Sequence, residues 1–397
     1  MFQHIAAQAP DPILSLMRQA RQDTNPDKID LTIGVYFDDH GNTPIMRAVK
    51  AAETMRTETE TTKTYLGLDG DANFTALMQE MTFANALPSE RVAGLQTPGG
   101  SGAICLVAEV YKDLKPDAKV WASNPSYHNH LSAFKAAGFS CGNYPYLSQD
   151  QTLNFAGMVD FLESKTSAGD IVILHASCHN PSGVNLTLDQ WHTLTGIVNA
   201  KGLVPFIDMA YQGLGDGLDT DAAGLRHMAA NVPNAFIAIS CSKNFGLYRE
   251  RAGALYMVTE NAAQSALALG AMHNVARRVY SMPPHHGADI VRTILTTPEL
   301  KNDWLEELES YRTRVNRIRE GLSQSLKRYT NSDAFDFIGT QRGMFSLLPL
   351  DQAQIDRLRD EHSIYTVPTG DGFARVNVAA CAEHKTDLMA SAIAQVL

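Results

Sequence analysis

Hydrophobic and polar positions along this chain switch repeatedly between two rhythms. Short apolar runs at 118–123, 170–175, 203–208 and 234–240 each end in small or polar residues. Between them, 131–137 and 188–200 carry apolar residues at helical spacing. Bounded apolar runs read as buried strands, and recurrence every three to four positions reads as one face of a helix. Strands and helices in alternation predict an α/β fold, with a mostly parallel sheet covered by helices on both faces. Ligands of such sheets bind beyond the carboxyl ends of the strands. Three successive runs end on His175–Asn180, Asp208–Tyr211 and Ser240–Lys243, so these residues are expected to converge.

The two ends of the chain read differently. Helices are expected over 13–21, 46–60 and 73–83, with a loop at 65–70. A strand is expected over 28–37, interrupted by Gly34, where another group can approach the backbone closely. Trp304, Leu308, Tyr311, Val315, Ile318 and Leu322 form an apolar stripe on a helix over 300–329 that bridges two domains. Strands at 343–348, 364–367 and 374–378 and a closing helix at 380–396 suggest a smaller α+β domain. The expected division is an arm at 1–12, a small domain of 13–43 and 306–397, and a large domain of 44–305.

A length of 397 residues suits two domains. A net charge of −10 weighs against a non-specific nucleic-acid binder but leaves room for a local basic pocket. The five cysteines are scattered and lack a CxxC pair, so neither a disulfide framework nor a zinc site is indicated. A reducing, cytoplasmic location is expected. The N-terminus has no basic segment leading into an apolar core, and no apolar run is long enough to span a bilayer. His128, His130, His175 and His179 have no compelling ligand spacing, so no metal is expected.

The chemistry centres on Lys243. A buried amine is costly unless paired, and its pKa can fall until it becomes a nucleophile. Ser240, Ser242 and Arg251 flank it, and such side chains suit a phosphate. Together they suggest a Schiff-base lysine beside a phosphorylated aldehyde cofactor, pyridoxal phosphate. A lone lysine there would read as a surface loop residue; the converging strand ends favour the site. The glycine-rich turn 96–102 opens onto a helix at 103–114, with Ile104, Val107, Ala108 and Tyr111 on one face. Amides at a helix N-terminus can cradle phosphate. The turn matches neither a P-loop nor GxGxxG, and a plain tight turn fits equally well.

The motifs MFQHI, DPIL, TIGVYFDDHGNTP, ETTKTYLGLDG, CHNPSG, DMAYQG, SKNFGLYRER, SMPPHHGA, GMFS and RVNVA run nearly end to end. On them the chain resembles the aspartate and aromatic amino-acid aminotransferases, fold-type I pyridoxal-phosphate enzymes. The resemblance implies that the large domain binds the cofactor and that a homodimer shares its active sites. It implies that Lys243 anchors the cofactor, Asp208 pairs with the pyridine nitrogen, and Tyr211 and Asn180 bond the ring oxygen. Gly100, Ser101, Ser240, Ser242 and Arg251 would hold the phosphate, with Tyr65 reaching the phosphate of the neighbouring subunit. Arg375 would bind the substrate α-carboxylate, with Gly34, Asn180 and Tyr127 beside the substrate. Arg277 would serve the neighbour's distal-carboxylate pocket. His130 and His175 would support the cofactor from beneath.

Two departures from the family pattern stand out. Tyr127 occupies the place where many members stack a tryptophan on the cofactor ring, and it too can stack. The link 366–374, TVPTGDGFA, is longer than the usual one before the arginine. The expected reaction is transamination between an L-amino acid and 2-oxoglutarate. A lyase or decarboxylase is disfavoured by two arginines suited to a dicarboxylate. A cofactor-binding regulator is disfavoured because no DNA-reading module is evident. Phe37, Thr64, Met282 and Ser101 replace bulkier or more polar residues of aspartate-selective relatives. Aromatic as well as dicarboxylic substrates are therefore expected. Thr43 and Val35 point to the alternative, a dedicated aspartate aminotransferase.

Overall fold

A computed structural model describes Phe2 and residues 12–397. The expected arm at 1–12 lies outside the described residues except for Phe2 and Pro12. The chain divides into two compact units, one running to Thr43 and resuming over Val315–Leu397, the other Pro44–Arg314.

In the first unit a helix, Pro12–Gln22, precedes β1 (Ile29–Asp30), which pairs in parallel with Ile364–Tyr365. The strand expected over 28–37 is thus only two residues long. Beyond it, other partners take the backbone groups that a ladder would use. Asn377 donates through Nδ2 to the carbonyls of Ile33 (2.6 Å) and Val35 (2.7 Å). Arg375 donates to the carbonyl of Thr32, and the Phe37 amide donates to Ala379. The segment is a loop held by side chains. A Cβ on Gly34 would lie 3.0 Å from the Phe345 ring, so the close approach calls for glycine.

The second unit is built on β2 (Val92–Pro98), β3 (Lys119–Asn124), β4 (Ser140–Pro145), β5 (Ile171–His175), β6 (Val204–Met209), β7 (Ala235–Ser240) and β8 (Ala252–Val258). They form one sheet in the order β2-β8-β7-β6-β5-β3-β4. Neighbours from β7 to β4 are parallel, and β8 runs antiparallel to both β7 and β2. Every position of β7 and β8 is buried, as expected of strands covered on both faces. Ile104, Val107 and Tyr111 of helix Gly99–Leu114 and Met272 and Val275 of helix Ala262–Val279 pack on Leu95, Val120, Ile173, Phe206 and Phe236. Helix Gly99–Leu114 begins directly after β2, so the glycines of 96–102 form its first turn rather than a turn before it.

The long helix is Pro298–Thr330. Its stripe divides by unit. Trp304 stacks on Phe245 at 4.4 Å and donates to the carbonyl of Asn244, whereas Ile318 and Leu322 enter the core of the first unit. There β9 (Phe345–Leu348), β11 (Val367–Pro368) and β12 (Ala374–Asn377) make an antiparallel sheet in the order β11-β12-β9, while β10 (Ile364–Tyr365) is the partner of β1. Helix Gln352–His362 lies between β9 and β10. The closing helix is Thr386–Val396, starting later than expected because 378–380 and 383–385 form tighter 3₁₀ turns. Among the described residues, no helix is long and apolar enough to cross a membrane.

Candidate active site

Neighbouring strand ends bring the central groups together. β5 and β6 pair with His175 opposite Asp208, and β6 pairs with β7, which ends at Ser240 and leads to Lys243. His130, on helix His128–Ala136, is fully buried, and its Nε2 lies 2.8 Å from Oδ2 of Asp208. Burial works against the Asp208 carboxylate. The His130 hydrogen bond and the nearby His130, His175 and Lys243 outweigh it and hold the pKa below the ordinary value. Asp208 is therefore ionised.

Lys243 is half-buried, with Nζ 5.1 Å from the centre of the Tyr211 ring. Burial lowers its pKa; Asp208 pulls the other way and Arg251 adds to the fall. His175 is driven down to about 3 by burial and by His130, against the pull of Asp208. It is neutral, and its buried Nε2 has no hydrogen-bond partner among the described residues. Asn180 and Tyr211 are both buried, and Asn180 Nδ2 donates to the Tyr211 hydroxyl at 3.4 Å.

A second group adjoins the first turn of helix Gly99–Leu114. Ser240 donates to Ser242 at 3.1 Å, and Arg251 Nη1 donates to Ser242 at 3.2 Å and to the carbonyl of Tyr248 at 3.0 Å. Gly99 has φ +68°, and a Cβ there would lie 2.5 Å from Arg251 Nη2. A Cβ on Gly100 would lie 3.4 Å from that of Ser240. Arg251 itself has φ +54°, a conformation that side chains other than glycine rarely adopt. Ser101 hydrogen-bonds Tyr127, whose ring centre lies 5.4 Å from that of His130. Burial, reinforced by Asp208, raises the Tyr127 phenol.

Tyr65 and Arg277 do not join this cluster. Tyr65 is 86% exposed, and Arg277 is exposed at the end of helix Ala262–Val279. Neither makes a hydrogen bond, ion pair or ring contact with another described residue. Elsewhere in this unit, Asp71, His285 and Asp289 bring three ligand atoms within 4.8 Å of one another. Arg56 pairs with Asp289 and Arg292 with Asp71, so this is an ion-pair cluster whose carboxylates already have cations.

In the first unit, Gly34 and Arg375 meet at Phe345. The Arg375 guanidinium sits 4.9 Å from the ring centre, and its Nη2 donates to the carbonyl of Thr32 at 2.5 Å. The long link before Arg375 is a hairpin: Val367 pairs with Arg375, Pro368 with Ala374, and the Thr369 amide bonds the Phe373 carbonyl. Gly370 and Gly372 supply positive φ at its tip, so the extra residues leave Arg375 in register on β12.

Several supporting residues had weak sequence signals. Asn377 is an amide at the end of β12, two residues after Arg375. Arg319 is a charge beside the apolar stripe; it is fully buried and donates to the carbonyls of Gly343 and Phe345 and to Ser346. His179 is a buried imidazole between Ser123 and Ser182. A polar residue within an apolar or motif-dense stretch was the available clue in each case.

The profile of the family described as aminotransferase class I and II matches residues 26–393. An aromatic-amino-acid aminotransferase of Paracoccus denitrificans is 46% identical over 398 residues, covering all of both chains. An aspartate aminotransferase of Pseudomonas aeruginosa is 41% identical, again over all of both. A solved aromatic-amino-acid aminotransferase of Burkholderia pseudomallei, covalently bound to pyridoxal phosphate, superposes with a TM-score of 0.96 at 42% identity, covering 100% of this chain and 99% of that one. The chain belongs to the class I and II aminotransferases.

Proposed function

We propose that this aminotransferase moves the amino group of an aromatic or dicarboxylic L-amino acid to 2-oxoglutarate, with pyridoxal phosphate carried on Lys243. The observation that carries this reading is an amine of lowered pKa beside an ionised, buried carboxylate, at adjoining strand ends. The residues fit the cofactor. Asp208 offers a carboxylate for a protonated ring nitrogen, and the orphaned Nε2 of His175 awaits a polar partner. Arg251, Ser240, Ser242 and the first-turn amides at Gly100 and Ser101 offer donors for a phosphate.

When bound, pyridoxal phosphate supplies the electron sink for the charge left on Cα as its proton departs. The protein's own groups do the rest. His130 holds Asp208 in place, and the low-dielectric site strengthens its attraction for a cationic nitrogen. Tyr211 and Asn180 offer hydrogen bonds to the ring oxygen, and Tyr127 offers a face for stacking. With the cofactor and substrate bound, Lys243 Nζ would take the Cα proton as a general base; its lowered pKa favours the neutral amine that this needs. Arg375 presents a planar fork to the α-carboxylate, with Gly34 keeping the adjoining loop close. Tyr65 and Arg277 serve the site of a second copy, which makes the working enzyme a homodimer; a cytoplasmic setting suits its free cysteines.

The aromatic preference rests on Phe37, Thr64, Met282 and Ser101, and on the named activity of the Paracoccus relative. An apolar wall rewards a buried ring by about 25 cal/mol per Å² removed from water. Incubation with glutamate tests the reaction itself: the cofactor absorbance should shift toward the pyridoxamine form, and an unchanged spectrum overturns the reading. The ratio of kcat/KM for phenylalanine against aspartate tests the substrate. An aspartate preference above about a thousandfold would make this a dedicated aspartate aminotransferase.

A further inference from the structure

His179 is buried one residue before Asn180. Its Nε2 lies 2.9 Å from the Ser123 hydroxyl, just past the buried middle of β3, and its Nδ1 lies 2.8 Å from the Ser182 hydroxyl. A neutral imidazole has one donor and one acceptor nitrogen, and each hydroxyl can supply the complementary group. Burial, with His175 and His130 adding to it, keeps the ring neutral. One face stacks on Tyr146, with centres 4.0 Å apart and planes 15° apart. The His175 ring stands against it edge-on at 4.3 Å.

These contacts converge on the short loop that carries Asn180. The Gly183 amide bonds the His179 carbonyl at 2.7 Å, and the Val184 amide bonds the Ser182 hydroxyl at 3.2 Å. The His179 amide bonds the Asn185 side chain at 3.3 Å, and the Tyr146 hydroxyl bonds the Val184 carbonyl at 2.7 Å. The imidazole ties the loop to β3 through Ser123 and adds a ring stack to the bond that the Tyr146 hydroxyl makes to Val184. Asn180, the next residue, points its amide at the Tyr211 hydroxyl.

We propose that His179 is a positioning residue: bonded to Ser123 and Ser182 and stacked on Tyr146, it fixes Asn180 against Tyr211 and so tunes the cofactor's proton affinity. The proposal rests on the reading of Asn180 and Tyr211 as donors to the cofactor's ring oxygen. Such donors favour the anionic oxygen, so loosening Asn180 should make the bound cofactor harder to deprotonate.

The test is a pH titration of the absorbance of purified holoenzyme, without substrate. His179→Phe keeps the ring stack and removes both imidazole hydrogen bonds; Ser182→Ala leaves the imidazole and its bond to Ser123 but removes the bond to Nδ1 together with the one from the Val184 amide. Each should raise the chromophore pKa, by roughly half a unit to one for His179→Phe, the size of one weakened hydrogen bond. Asn180→Ala sets the reference. If His179 acts through Asn180, the double variant shifts no further than Asn180→Ala alone. An unchanged pKa in the soluble variants, or shifts that simply add in the double variant, overturns the proposal. If His179→Phe does not fold, Ser182→Ala and its double variant with Asn180→Ala carry the same test. Failure of the wild-type protein to convert its cofactor with glutamate would instead overturn the aminotransferase reading, so the two failures are distinguishable.

Discussion

At the residue scale, burial sets charge in three different ways within one cluster. Asp208 keeps its charge because His130 offsets the burial, Lys243 is pushed toward the neutral amine, and His175 becomes neutral outright. If Lys243 carries the cofactor, Lys243→Ala should lose the overall transfer, and borohydride reduction of the wild-type holoenzyme should label Lys243; a label on another lysine refutes the assignment. His175 also makes stability depend on pH. Its folded pKa of about 3 lies below the ordinary 6.5, so below pH 6.5 the unfolded chain takes up a proton that the folded chain refuses. Its contribution is whole above pH 6.5 and is lost as pH falls toward 3. Cofactor-free His175→Gln should therefore show a shallower fall in urea midpoint over that window than wild type; equal slopes would refute this.

At the scale of elements, buried polar side chains decide where the strand pattern stops being a guide. Asn377 is fully buried: its Nδ2 serves the carbonyls of Ile33 and Val35, and its Oδ1 accepts from the Ala379 amide. Asn377→Ala leaves these groups without that partner and should destabilise the protein by roughly 2–4 kcal/mol. A urea midpoint within error of wild type would count against it. The same residue explains why β1 ends at Asp30 although the apolar pattern runs on to 37. An apolar pattern at 28–37 implies extended backbone but does not say what bonds it, and here the partner lies far along the chain. β5, β6 and β7 were legible because both faces are covered, giving short unbroken apolar runs. β4, SCGNYP, carries no such signal, and β2 merges into the glycines that open the next helix. The convergence of His175, Asp208 and Lys243 followed from strand ends alone. The supports behind them, His179 and Arg319, depend on side-chain partners distant in sequence, which periodicity does not encode.

At the scale of the whole molecule, the proposed homodimer turns on the two residues left outside the cluster. Tyr65 and Arg277 are exposed and make no side-chain partnership within the described chain. A two-fold dimer places the same patch of each copy against the other, so a residue reaching across serves the second copy's site and receives the same service in return. Mixing separates this arrangement from self-contained sites. Lys243→Ala protein lacks the amine but has Arg277; Arg277→Ala protein has the amine but lacks the guanidinium. If the sites are shared, one site of a mixed dimer would draw Lys243 from one copy and Arg277 from the other and be intact, while the second site would lack both. Random exchange in equal amounts makes about half of the dimers mixed, each with one good site of two. Activity toward aspartate and 2-oxoglutarate should then recover to roughly a quarter of wild type, from near zero for Lys243→Ala alone and strongly reduced for Arg277→Ala alone. Replacing Arg277→Ala by Tyr65→Ala should give the same complementation, read as recovered cofactor affinity at one site per mixed dimer. If mixed dimers are demonstrated by mass and show no more dicarboxylate activity than the average of their parents, each copy works alone.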